Sequence, residues 1–197
     1  MDALAEKDVQ SIVQLPSDMF MRLMTCIQIV LERPVEEATY AASIVNRLVS
    51  YRFECQQLQA ELNGGNSQQT SSSSSSSSAS EQSIQKKQKA WQLFTQHHNQ
   101  NPNVFDQILL VIFQLVCFRN CTRLWSMSRP LLPLILNNTQ YFAQYKQQVL
   151  SQAPQNRQQI LQHAFNKLDA QLDQTLSSKN RDLFTKNLYA AVKLIRQ

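Results

Sequence analysis

Only two glycines occur in the 197 residues, side by side as Gly64-Gly65. A β-rich fold needs repeated tight turns, and many of those turns require a positive φ that glycine adopts without a Cβ clash. A chain with so little of that turn chemistry must use its length as helices joined by short connections. Proline is sparse as well, at six residues. Glutamine is abundant; it is a tolerable helix former and an uncharged residue suited to solvent-facing helix sides. The composition predicts an all-α fold.

The apolar pattern agrees. Residues 1–14 read as the end of an amphipathic helix, with Leu4, Val9, Ile12 and Val13 as its apolar set. Pro16-Ser17-Asp18 marks a new helix start, with Ser17 or Asp18 expected to cap the free amides of the first turn. From there Met19, Phe20, Leu23, Met24, Ile27, Val30 and Leu31 form one stripe at helical period. Pro34 suits the first turn of the next helix, and Glu36-Glu37 lie where the helix dipole favours negative charge. That helix carries Ala38, Ala41, Val45, Leu48 and Cys55 on one side and is expected to reach about Leu58. Two antiparallel helices within some 40 residues match one HEAT-type repeat.

Residues 59–83 read as a linker. Gly64-Gly65 ends the helix, and the unbroken serine run Ser71 to Ser78 offers no apolar surface to offset the entropy of ordering it, so it is expected to be disordered. The expected organisation is therefore HEAT-like helices over 1–58, a Ser-rich linker over 59–83, and further HEAT-like helices over 84–197 ending in a terminal capping helix. In this last part a helix from Ile84 to His98 buries Ala90, Trp91, Leu93 and Phe94. Asn101-Pro102 then opens a helix that is apolar almost all round from Val104 to Phe118, which must be covered on most faces. Pro130 and Pro133 bound or kink a short helix through Leu136. Helices follow over 139–151, 155–175 and 179–196. The last turns Phe184, Leu188, Ala191, Val192 and Ile195 inward and sets Lys186, Lys193 and Arg196 on a polar outer face.

Charge is uneven: residues 1–58 carry 5 basic and 8 acidic side chains, and residues 84–197 carry 14 and 4, a net +10. The basic residues are scattered apart from Lys86-Lys87-Lys89, so a solvated helix face or an acidic protein partner fits better than nucleic acid. The four cysteines lie in apolar helical stretches and do not form a secreted disulfide framework. With no apolar leader after Met1 and no apolar run of about 20 residues, no membrane insertion is predicted, and the chain reads as intracellular, soluble and reduced.

No Gly-rich phosphate loop, HExxH, GxSxG or paired-carboxylate arrangement is present, and the chain is not read as an enzyme. Cys117-x3-Cys121 with His97-His98 nearby has the wrong spacing for a zinc knuckle; buried thiols are the expected reading, with no metal and no cofactor. His163 is expected at the surface or rim. Trp125 and Arg129 are the residues most open to a binding role. Packing between helices is expected for Trp125, and capping of carbonyls near the Pro130 break for Arg129. Asn180-Arg181-Asp182 reads as first-turn capping and ion-pair chemistry of the last helix.

Two phrases, Cys121-Thr-Arg-Leu-Trp125-Ser-Met-Ser-Arg129-Pro-Leu-Leu-Pro-Leu-Ile-Leu136 and Ser178-Lys-Asn-Arg-Asp-Leu-Phe-Thr-Lys-Asn-Leu188, go beyond generic helix composition. They resemble the C-terminal end of the exportin-7 family of nuclear transport receptors, as do Tyr141-Phe142 and the stretch from Gln152-Ala153-Pro154 to Gln158-Gln159. The resemblance is good over 84–196 and weaker over 1–58. It implies an importin-β-type superhelix of HEAT repeats that carries protein cargo through the nuclear pore under control of the GTPase Ran. The implied partners are Ran, cargo and nuclear pore proteins, and the implied location is nucleus and cytoplasm with passage through the pore. Family members are several times longer, and their principal Ran-binding region lies in N-terminal repeats absent here. The chain is thus expected to be the tail of such a receptor, with residues 1–14 a helix severed from its partner. The alternative is a HEAT-like scaffold for protein–protein interaction without transport activity.

Overall fold

A computed structural model describes residues 3–33, 35–64, 77–119 and 121–197. Their backbone is all-α: α1 (Ala3–Val13), α2 (Ser17–Leu31), α3 (Val35–Gly64), α4 (Ser77–Gln100), α5 (Val104–Phe118), α6 (Leu124–Asn137), α7 (Thr139–Gln152), α8 (Gln155–Asp169) and α9 (Ser178–Ile195). The helices pack in pairs stacked as a solenoid segment, and short breaks join α1 to α2, α2 to α3, and α4 through α8. One hydrophobic cluster runs through the stack from Val9 to Ile195, so the parts before and after the serine run share a core.

Helix α3 is the spine. Leu48, Val49, Ser50 and Tyr51 are four consecutive buried residues, which at about 100° per residue point in every direction around the axis. A helix buried all round must be enclosed, and α3 packs on α1, α2, α4 and most extensively α6. Helix α5 is the second enclosed element. Its Phe113 ring meets Phe142 of α7 at 5.5 Å, Tyr145 of α7 at 5.8 Å and Phe165 of α8 at 6.3 Å. Among the described residues no single helix is long and apolar enough to cross a membrane; α4 and α5 meet at a bend of 82°.

Several local expectations are corrected. Helix α3 continues to Gly64 and α4 begins at Ser77, so helix enters both ends of the expected 59–83 linker. Residues 65–76, with most of the serine run, lie outside the described residues, as does Pro34. Helix α1 has a partner within the chain: Val9 and Val13 are buried, and it packs on α3 and α4. Met19 is half exposed, and Trp91 and Leu93 are only half buried. Asn101 does not cap α5, which starts at Val104 behind Asn103.

Ser17 does not cap α2 either. Its hydroxyl lies 2.9 Å from Nδ1 of His97, whose Nε2 donates to the Val13 carbonyl at 2.9 Å. The imidazole also stacks on Phe20, with ring centroids 4.1 Å apart. A histidine of α4 thereby holds the α1–α2 junction.

Helix α8 stops at Asp169, short of the expected Thr175. Gln171 takes the left-handed conformation at φ 58°, and side-chain amides of α9 replace the missing helical bonds. Asn187 Nδ2 donates to the carbonyls of Leu168 (3.4 Å) and Ala170 (2.7 Å). Asn180 accepts from the Asp173 amide (3.2 Å) and donates to the carbonyls of Asp173 (2.9 Å) and Thr175 (2.7 Å).

Because Phe113 joins three helices, Phe113→Ala is expected to cost about 3–5 kcal/mol, with Phe113→Leu costing distinctly less. Urea unfolding followed by circular dichroism measures both.

Candidate functional site

The sequence-selected residues fall into an interior group and a surface group. Cys55, Cys117 and Cys121 are buried free thiols, and Cys26 is exposed. Burial pushes the Cys117 thiol up to about 12, so at neutral pH it is protonated and packs as a small apolar side chain. Its helix end is capped from outside the helix: Arg196 Nη2 donates to the carbonyls of Val116 (2.7 Å) and Cys121 (3.4 Å). Arg196, Lys186 and Lys193 are all exposed, as expected, and the Arg196 guanidinium in addition reaches across to the end of α5. His97 is committed to the α1–α2 junction. Among the described residues no three His, Cys, Asp or Glu side chains are grouped to hold a metal.

His163 is exposed and lines an open groove of about 580 Å³ between α7 and α8, together with Gln147, Gln158, Gln159, Gln162 and Asn166. An adjoining hollow carries the ion pair Lys146–Asp169. The amides of the groove offer hydrogen-bond donors and acceptors, beside the Ser151 hydroxyl and the His163 imidazole.

A half-buried polar cluster that sequence reasoning missed sits where α3, α5 and α6 meet. Both Asp106 carboxylate oxygens accept from Asn138 Nδ2, at 3.0 and 3.2 Å, and Asn138 Oδ1 caps α7 through the Tyr141 amide at 3.1 Å. Arg52 lies over the Phe105 ring at 4.8 Å and donates to Asn137 at 3.3 Å. Burial raises the Asp106 carboxyl above the ordinary range, against the pull of Asn138, Arg52 and His98. Burial likewise lowers Arg52.

The surface group centres on α6 and α9. Trp125 does not pack between helices: it is 57% exposed. The stripe Leu124, Met127, Ser128 and Leu131 faces the core, and Trp125 lies one step round the helix from it. Arg129, one turn on, places its guanidinium over the Trp125 ring at 4.4 Å and pairs with Asp182 of α9 at 3.4 Å. This replaces the carbonyl-capping role expected of Arg129. Beneath them the Ser128 and Thr185 hydroxyls meet at 2.8 Å.

Arg181, beside Asp182, reaches much further than the expected first-turn chemistry. It donates to Asn46 Oδ1 (3.2 Å), Ser50 Oγ (2.9 Å), the Leu176 carbonyl (3.1 Å) and the Arg129 carbonyl (3.5 Å). The last of these is the carbonyl that Pro133, lacking an N–H, leaves without its helical partner. Burial and the like charge of Arg129 lower the Arg181 pKa, with Glu54 acting against them. The first-turn cap of α9 is Ser177, which accepts from the Asn180 amide at 3.2 Å.

Two predictions follow from these contacts. Arg181→Ala is expected to cost about 2–4 kcal/mol because it leaves Asn46, Ser50 and two carbonyls short of a donor, whereas exposed Trp125→Ala should cost under about 1 kcal/mol. Parallel thermal melts separate them. Since the Asp106 pKa is raised on folding, its contribution to stability is full in acid below the ordinary carboxylate range. It is lost as pH rises through the raised value. Asp106→Asn should remove that component from urea midpoints measured across the carboxylate titration range.

No family model matches the chain, and no solved structure matches it. Among curated proteins, human Ran-binding protein 17 is 39% identical over 100 residues, 51% of this chain and 9% of that protein. Exportin-7-B of Xenopus laevis is 40% identical over 91 residues, 46% of this chain and 8% of its own length. Ran-binding protein 16 of Drosophila melanogaster is 32% identical over 88 residues, 45% and 8%. The matched stretch is thus under a tenth of each relative. Over about half its length, this all-helical chain is similar to the exportin-7 and Ran-binding proteins.

Proposed function

We propose that this chain is a helical-repeat segment of a nuclear export receptor that carries protein cargo through the nuclear pore in a Ran-GTP-dependent way. The observation that carries this reading is the 39–40% identity to Ran-binding protein 17 and exportin-7 over about half the chain. The stacked helical pairs around α3 support it, since an α-solenoid offers extended surfaces to protein partners. In this reading the receptor shuttles between nucleus and cytoplasm, its partners are Ran, cargo and nuclear pore proteins, and it works by binding without catalysing a reaction.

The test compares Ran loaded with a non-hydrolysable GTP analogue against Ran loaded with GDP, on the full product of the gene that encodes this chain. Preference for the GTP form by about tenfold or more, a coupling of about 1.4 kcal/mol, is expected. Equal affinity for the two forms, or none for either, would overturn the transport reading in favour of a HEAT-like scaffold without Ran-linked activity.

A further inference from the structure

On α9, Asp182, Lys186, Tyr189 and Lys193 recur at i, i+4, i+7 and i+11, and all four are exposed. They therefore form one stripe along the helix. The contacts Arg129–Asp182 and Ser128–Thr185 set α6 antiparallel to α9, since residue numbers rise on one as they fall on the other. One turn back along α6, this register brings Trp125 beside the turn of α9 that bears Lys186 and Tyr189. Two large aromatic side chains, 57% and 47% exposed, thus share a ridge with two lysines.

We propose that this α6–α9 ridge docks an acidic amphipathic segment of another protein. An apolar side chain of the segment lies on Trp125 and Tyr189, and its carboxylates meet Lys186 and Lys193. Charge complementarity selects the partner: the ridge's one carboxylate, Asp182, is already paired with Arg129, and residues 84–197 carry a net +10. Preorganisation supports it. Arg129 sits over the Trp125 ring and Asp182 holds Arg129, so the indole is oriented before a partner arrives and less side-chain freedom is lost on binding. An exposed tryptophan flanked by cations has the composition of an interface anchor.

The spacing sets the ligand. Lys186 and Lys193 are two turns apart, about 10 Å along the axis, with Tyr189 between them. The matching helical segment carries acid, apolar and acid at i, i+3 and i+7. A nucleic acid strand fits less well, because the stripe offers only two lysines, about 10 Å apart and preceded by a carboxylate, where a strand needs successive cations. The inference stands apart from the transport reading, since it concerns binding measured without Ran.

The test uses the whole chain and a fluorescein-labelled synthetic peptide with the pattern Glu-x-x-Leu-x-x-x-Glu, followed by fluorescence anisotropy. A Lys-x-x-Leu-x-x-x-Lys peptide and an oligothymidylate serve as controls. The acidic peptide is expected to bind and the basic one not to bind. Lys186→Glu with Lys193→Glu should weaken binding by about tenfold or more, and Trp125→Ala by about tenfold, with cooperative melting retained in each variant. Absence of acidic-peptide binding, or affinity unmoved by either variant, would overturn the proposal. So would oligothymidylate binding that is tighter and equally sensitive to Trp125→Ala, since the ridge would then be a nucleic acid surface.

Discussion

The guanidinium of Arg181 is the point on which the packing of this chain turns. It is a cation drawn partly out of water, and it is tolerable there because each direction of its fork finds an acceptor. Asn46 and Ser50 lie on α3, the Arg129 carbonyl on α6, and the Leu176 carbonyl on its own loop. Removing any of these partners leaves a poorly solvated charge short of an acceptor. The three contributing elements are held to one mutual geometry as a result. The proline inside α6 is part of this arrangement: Pro133 frees the carbonyl that Arg181 uses.

The same logic recurs along the stack. His97 of α4 joins the α1–α2 junction, Asn187 and Asn180 of α9 replace the end of α8, Arg196 caps α5, and Asp106 of α5 steadies the cap of α7. In each case a backbone or capping group near a helix end is met by a side chain from another element. Apolar burial supplies the drive to collapse, and these polar ties select which of the many possible helix packings is adopted.

What was legible in the sequence followed from local rules. The two glycines and the 3.6 period indicated all-α, and the inward faces of α2 and α9 and the enclosure of α5 were readable because amphipathic pattern is a property of neighbouring residues. The end of α8 was not readable, since its stripe continues through Leu172 while the tie that stops it comes from Asn187. Ser17 looked like a cap, yet its partner is a histidine in another helix. A large aromatic in a helical stack is usually buried, which argues for packing at Trp125; its exposure follows from one step of rotation away from the Leu124 stripe. The partners of Arg181, separated from it by 131 and 135 residues, left no mark in any local window.

That separation bears on how the protein is made. Helix α3 leaves the ribosome long before α6 and α9 exist, and at about 5–20 residues per second the wait for Arg181 is roughly 7 to 26 s. Leu124, which opens α6, follows Leu48 by 76 residues, so for roughly the first 4 to 15 s of that interval the face of α3 destined for α6 lacks its native cover. Newborn copies thus carry an oily helix into a crowded cell for many seconds, and holding chaperones have a defined period in which to act.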